Sequence, residues 1–314
     1  MMRKTRKWSR YPTGAFYAFI SPWLIGFTLL TAIPLVYGLL VSLTNYDGSS
    51  PRWKWIGLRN YTELLSDGDA WSALLRTLAF TAIVVPLSIA GSLGLAVLLN
   101  RRLRAVGLWR TVFFLPSVVP VVAMAIMWKL VLNRDAGILN AALGAIGLGP
   151  VAWLSAPASF YALVILMLWA LGGGMVIMLA ALQGVPVELE EAATMDGAGR
   201  WRVFRHVTVP MISPILFFQV ITGVIGALQV FVQPLLLTGS SGIAGAGAVP
   251  ESNRLFMVQV YQEFFLSNRF GYGSAMLWVF FLIILGLTLI LLRSSRSWVF
   301  YEVDTDEDQK AAAR

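Results

Sequence analysis

Six apolar stretches, at about 14–44, 71–99, 109–132, 159–182, 212–237 and 274–292, contain none of the sixteen Asp and Glu residues of this chain. A helix of about 20 residues crosses the ~30 Å hydrocarbon core of a bilayer, and each stretch is of that order or longer. Inside lipid a segment must satisfy its own backbone, which a helix does. The predicted fold is therefore an all-α membrane protein with six transmembrane helices. Composition agrees, since 58% of the 314 residues are hydrophobic, only 13% are charged, and the mean hydropathy is +0.73. No soluble globular chain has that balance.

Taken in order, the chain begins with Arg3, Lys4, Arg6, Lys7 and Arg10, ahead of any apolar residue run. A secretory signal would carry a shorter apolar core and a small-residue cleavage site, so an uncleaved first span is expected. That stretch exceeds one straight crossing, and Pro22 and Pro34 are expected to divide it into an interfacial and a spanning piece. The second stretch holds Pro86 and the pair Gly91 and Gly94, whose small size permits close helix packing. The third contains Pro116 and Pro120, and Gly172-Gly173-Gly174 interrupts the fourth. Residues 133–157 read as a polar and then Gly/Ala-rich loop. Residues 239–253 are flexible by composition. Leu255 to Phe265 is helix-compatible and apolar but too short to span, so an interfacial or re-entrant segment is expected. The acidic tail from Glu302 is expected to be disordered.

Six spans put both termini on one side of the membrane. On that side lie five Lys and Arg at the amino terminus, four over 101–110, three in 184–210 and four after the last span. Eight lie elsewhere. The positive-inside bias places both termini and the 184–210 loop in the cytoplasm. The expected organisation is a basic amino-terminal stretch (1–13), a six-helix domain (14–293) and a cytoplasmic acidic tail (294–314). A net charge of +8 gathered at span ends marks orientation rather than nucleic-acid binding.

Several function classes are excluded by what the chain contains. It has no cysteine, hence no disulfide framework and no thiolate metal site. The lone His206, beside Arg205, cannot build a histidine metal site. None of the five lysines follows a glycine, so there is no GxxxxGK[ST] phosphate loop; no ATP hydrolysis and no other catalytic role is expected of the chain. The absence of acids from the spans argues against a proton-coupled carrier, which usually keeps an ionisable group in the membrane. An externally powered mechanism fits better.

The polar segment Gly184 to Pro210 carries its own helix signals. Pro186 suits a first helical turn, and Glu188, Glu190 and Glu191 complement the positive end of the helix dipole. Asp196-Gly197 stops that helix. A second short helix fits Arg200 to Val207, with Trp201, Phe204 and Val207 or Thr208 on one side and Pro210 at its end. This loop resembles the cytoplasmic loop of ATP-binding-cassette (ABC) importer permeases, whose signature is EAA, three residues, G, nine residues, then I-x-L-P. Here stand Glu191-Ala192-Ala193, Gly197, and Val207-Thr208-Val209-Pro210, with Val replacing Ile and Leu.

The resemblance implies a six-helix, type I importer permease (MetI-like) fold and a coupling role. Glu191 would make a polar contact with a cytoplasmic ATPase. Ala192 and Ala193 would allow close approach, Asp196 and Gly197 would form the corner, and Pro210 would close the motif. Partners so implied are an ATPase dimer holding ATP and Mg, a second homologous permease and an extracytoplasmic solute-binding protein; this chain itself would bind no cofactor. The stretches WIGLRNYTELL, WRTVFFLPSVVPVVAMAIMWKLVLN, LFMVQVYQEFF and RSWVFYE resemble sugar-importer permeases of the maltose-permease type. That implies an oligosaccharide, or a polyol derivative such as a glycerophosphodiester, imported across a bacterial or archaeal cytoplasmic membrane. Candidate substrate contacts are Gln229 and Gln233, four apart on the fifth span, which either bind hydroxyls or bond neighbouring helices. Trp128, Trp169 and Trp278 either stack on sugar rings or anchor at the interface. Lys129 faces a cavity or snorkels outward. A stand-alone secondary transporter or channel, or an ABC permease for a non-sugar solute, remains the alternative.

Overall fold

The structure is a computed structural model that describes residues 13–50, 53–101, 104–238 and 247–300. The basic amino-terminal stretch up to residue 12 and the acidic tail beyond residue 300 therefore lie outside the described residues. The helices in chain order are α1 (Gly14–Ser42), α2 (Arg59–Ser66), α3 (Gly68–Leu99), α4 (Val106–Val118), α5 (Val121–Val131), α6 (Ile138–Ala145) and α7 (Ala158–Trp169). They continue with α8 (Gly172–Gln183), α9 (Val187–Met195), α10 (Arg200–Met211), α11 (Ser213–Leu228), α12 (Val232–Thr238), α13 (Phe256–Phe265) and α14 (Phe270–Ser294). No strand occurs among the described residues, only one isolated bridge between Thr44 and Trp55.

Three helical runs are long and apolar enough to cross a membrane alone: α1, α3 and the run Phe270–Ser297. Three bent pairs complete the set, α4 with α5 (100°), α7 with α8 (44°) and α10 with α11 (67°). Counting each pair as one span gives the expected six, although in the third pair only α11 falls within the expected stretch 212–237 and α10 belongs to the 184–211 loop. The bends have local causes. Val119 is extended (φ −67°, ψ 128°) because Pro120 disfavours helix before it, so the third span turns sharply there, whereas Pro116 is absorbed inside α4.

The described residues divide into two compact units, one of those up to Ser66 with Asn268–Val279, the other of those within Asp67–Ser267 and from Phe280 to residue 300. In the first unit, α1 is one continuous helical run rather than the expected two pieces. Pro22 frees the carbonyl of Ala18, and Ser21 Oγ donates to that carbonyl at 2.9 Å. Ahead of Pro34 the helix widens into a π-turn over Thr28–Ala32, which makes room for the proline ring. The carboxyl end of α1 is stitched by the WIGLRNYTELL stretch. Asn60 Nδ2 donates to Ser42 O and Thr44 O, both at 2.8 Å, and Tyr61 Oη bonds Ser42 Oγ at 2.7 Å. Arg269 pairs with Glu63 and lies 4.2 Å over the Tyr272 ring. In the adjoining turn, backbone N–H groups of Ser50 and Ser49 hold the Asp47 carboxyl below its usual range.

The second unit is built on α3. Asp67 caps its start by accepting from Asp69 N and Ala70 N, and Arg110 reaches back to the Leu99 carbonyl at its end, at 3.0 Å. One core gathers Phe80, Val84, Met124, Leu163, Leu166, Leu237 and Leu255; another gathers Ala96, Leu99, Met175, Met178, Leu182 and Ile212. The Leu255–Phe265 segment packs on α3 with Phe256, Val258 and Val260 buried, and Phe256 N donates to Thr77 Oγ1 at 2.8 Å. Residues 133–157 are not a plain loop. They contain α6, held by the buried Asn140, whose Nδ2 donates to Arg134 O and Val151 O while Oδ1 accepts from Val151 N and Trp153 Nε1.

Candidate coupling loop and transport path

The 184–211 loop forms two helices at a glycine corner. α9 follows Pro186, with Glu188 and Glu190 in its first turn. It ends in paired bonds: Gly197 N donates to Thr194 O and Ala198 N to Ala193 O, both at 3.0 Å. This is the Schellman arrangement, in which the residue after the cap must be left-handed. Gly197 has φ +81° and open space where a Cβ would stand. The second helix begins at Arg200 but does not stop at Pro210 as the sequence suggested. A π-turn over Phe204–Thr208 widens it ahead of the proline, and it continues to Met211 before the 67° bend into α11. The buried positions are Val203 and Thr208; Trp201 is 71% exposed, beside the partly buried Phe204.

A bond the sequence did not signal braces the two helices. Thr208 Oγ1 donates to Glu190 Oε1 at 2.9 Å, and Glu190 is partly buried. Glu191 and Ala192 are exposed, Ala193 is partly buried, and Asp196 and Met195 are exposed. The side of the EAA residues is thus presented outward, with apolar Met195 at 87% exposure.

The candidate substrate residues divide. Trp128 of α5 and Trp169, the last residue of α7, meet edge-on with centroids 6.1 Å apart, both packed against one core. The Trp128 indole N–H is buried without a partner. Gln229 and Gln233 do not share a helix face, because α11 ends at Leu228 and α12 begins at Val232. Gln229 is exposed at the break and Gln233 is partly buried on α12, which packs against α5. Neither side chain hydrogen-bonds another described residue, so neither bridges helices there. Lys129 is partly buried on α5, and Trp278 lies 3.9 Å from the Cβ position of Gly38.

Residues 88–297 match the family described as the binding-protein-dependent transport system inner membrane component. The chain belongs to this family. It is 37% identical over 306 residues to the probable ABC transporter permease protein YesP of Bacillus subtilis (strain 168), covering 96% of both chains. It is 32% identical to the trehalose/maltose transport system permease protein MalF of Thermococcus litoralis, over 89% of this chain and 93% of that one. A chain in the crystal structure of a bacterial alginate ABC transporter with an alginate pentasaccharide-bound periplasmic protein superposes with TM-score 0.80 at 20% identity, over 92% of this chain and 96% of that one. The six-span fold is thus that of an ABC importer permease.

For a permease of this family, sequence reasoning missed a second polar cluster, at the bend of the fourth span. Gln219 Nε2 of α11 donates to Gly174 O at 2.9 Å, and Ser92 Oγ of α3 donates to Leu171 O at 3.2 Å. The glycine triplet was legible as an interruption. Its two partners were ordinary polar residues in apolar runs.

Proposed function

We propose that this chain is a membrane subunit of an ATP-driven, binding-protein-dependent sugar importer in a bacterial or archaeal cytoplasmic membrane, with both termini cytoplasmic. It is the non-catalytic part: Glu191, Ala192, Ala193, Asp196, Gly197 and Pro210 form the knob that docks on a cytoplasmic ATPase dimer. That dimer holds ATP and Mg, and a second homologous permease completes the pathway. The observation that carries this reading is the loop itself, a cross-braced pair of short helices with its EAA side outward, in a chain of the importer family. A rigid knob passes displacement to its flanking spans, whereas a flexible loop would absorb it.

Sugar as the class of solute is supported by relatives named for trehalose/maltose and for lactose transport, the latter 32% identical over 89% of this chain. A paired Trp128 and Trp169, with Gln229 and Gln233 left free for hydroxyl groups, suits ring stacking and polar contact. The test is purification of the tagged chain in mild detergent. An ATPase and a second permease are expected to accompany it, and Glu191→Lys is expected to release the ATPase at unchanged membrane level. A homo-oligomer without ATPase would refute the proposal and point to a stand-alone transporter.

A further inference from the structure

The coupling loop is flanked by α8, which enters it, and α11, which leaves it. The loop is braced within itself, and the two flanking helices are tied to each other deeper in the spans. Near the loop, Thr208 of α10 bonds Glu190 of α9 at 2.9 Å; deeper in the spans, Gln219 of α11 bonds the Gly174 carbonyl of α8 at 2.9 Å. Just before Gly174 the fourth span bends by 44°, between Trp169 and Gly172. Ser92 of α3 donates to Leu171 O within that bend, although this carbonyl already accepts Met175 N at 3.0 Å.

The glycines are what let three elements reach this point. A Cβ on Gly174 would stand 2.6 Å from Ser92 Oγ and 3.0 Å from Gln219 Oε1, and one on Gly172 would run into the Phe113 carbonyl of α4. Here the helix backbone is gripped directly by Ser92 and Gln219, in addition to the packing of Met175 and Met178 in the core. Where a span is shielded from water, such a bond either persists or is exchanged for another protein bond. A helix held by discrete bonds of this kind moves between defined positions.

We propose that Gln219 and Ser92 are positioning residues for transport. Gln219 makes α8 and α11 move as one bracket around the loop. Ser92 holds the bend against α3, so displacement of the loop changes the angle between α7 and α8 next to Trp169. The inference rests on the coupling reading given above, because it needs the loop to be the point at which force enters.

The chain has no cysteine, so two can be introduced cleanly. Tyr161→Cys on α7 and Val176→Cys on α8 both replace exposed residues. Spin labels at these sites report the bend by pulsed electron paramagnetic resonance, in the purified complex, with and without ATP plus vanadate. The parent is expected to give a narrow distance distribution that shifts on adding nucleotide. Gln219→Met keeps the side-chain length and lacks the N–H donor. It is expected to broaden the distribution and abolish the shift while the ATPase co-purifies in equal amount. Ser92→Ala, which creates no bulk, is expected to broaden it as well and serves if Gln219→Met fails to assemble. An unchanged distribution and shift in the variants would overturn the proposal, as would a parent distribution indifferent to nucleotide with ATPase bound. Absence of the ATPase from the parent preparation would instead refute the coupling reading itself.

Discussion

Replacing Gly197 isolates what its backbone conformation contributes to the loop. Gly197 sits at φ +81°, and no atom beyond its own chain neighbours lies within 4 Å of where its Cβ would be. A substitution there meets no steric obstacle, so the whole cost is conformational. Left-handed backbone costs an L-residue about 1–2 kcal/mol, and Asn populates that region several-fold more readily than most residues. Local opening of the corner should therefore rise by a factor of about 5–30 in Gly197→Ala, less in Gly197→Asn, and more in Gly197→Val, whose branched side chain adds its own penalty. The assay is amide hydrogen exchange at Ala198, whose N–H closes the corner on Ala193 O at 3.0 Å. The same order should appear in the amount of ATPase retained on purification, since an opened corner misplaces the knob. Equal exchange in the Ala and Asn variants, or no change in either, would refute the argument.

Two further outcomes are expected. Removing either partner of the Thr208–Glu190 bond, by Thr208→Val or by Glu190→Met, which lacks the acceptor oxygen, should weaken the loop by about 1 kcal/mol, and the double variant should cost little more than one alone. Limited trypsin cleavage at Arg200 and Arg202 reads this, and strictly additive effects would show that the bond braces nothing. Asn140→Ala should destabilise the 133–153 segment by on the order of 3 kcal/mol, because it leaves the Val151 N–H and the Trp153 indole N–H without their acceptor. Hydrogen exchange confined to α6 and its flanks checks it, and protection equal to the parent would count against the role of Asn140.

The amino-acid sequence by itself determined the six apolar segments, the all-α class, the EAA loop with its glycine corner and the family. These are local properties. Hydropathy over about 20 residues decides what enters lipid, and an Asp-Gly step followed closely by a second glycine is a local helix-stop signal. The tertiary structure decided the rest. It placed Pro22 and Pro34 inside one continuous helix, because Ser21 and a π-turn absorb them. It broke the helix between Gln229 and Gln233 and carried Pro210 inside α10. It buried one face of the Leu255–Phe265 segment against α3, and chose Glu190 rather than Glu191 as the internal brace. The bonds that fix the loop and the bend join residues 18, 45 and 79 positions apart. A Ser or Gln in an apolar run carries no mark of which distant carbonyl it will meet, because that choice is made only when whole helices pack.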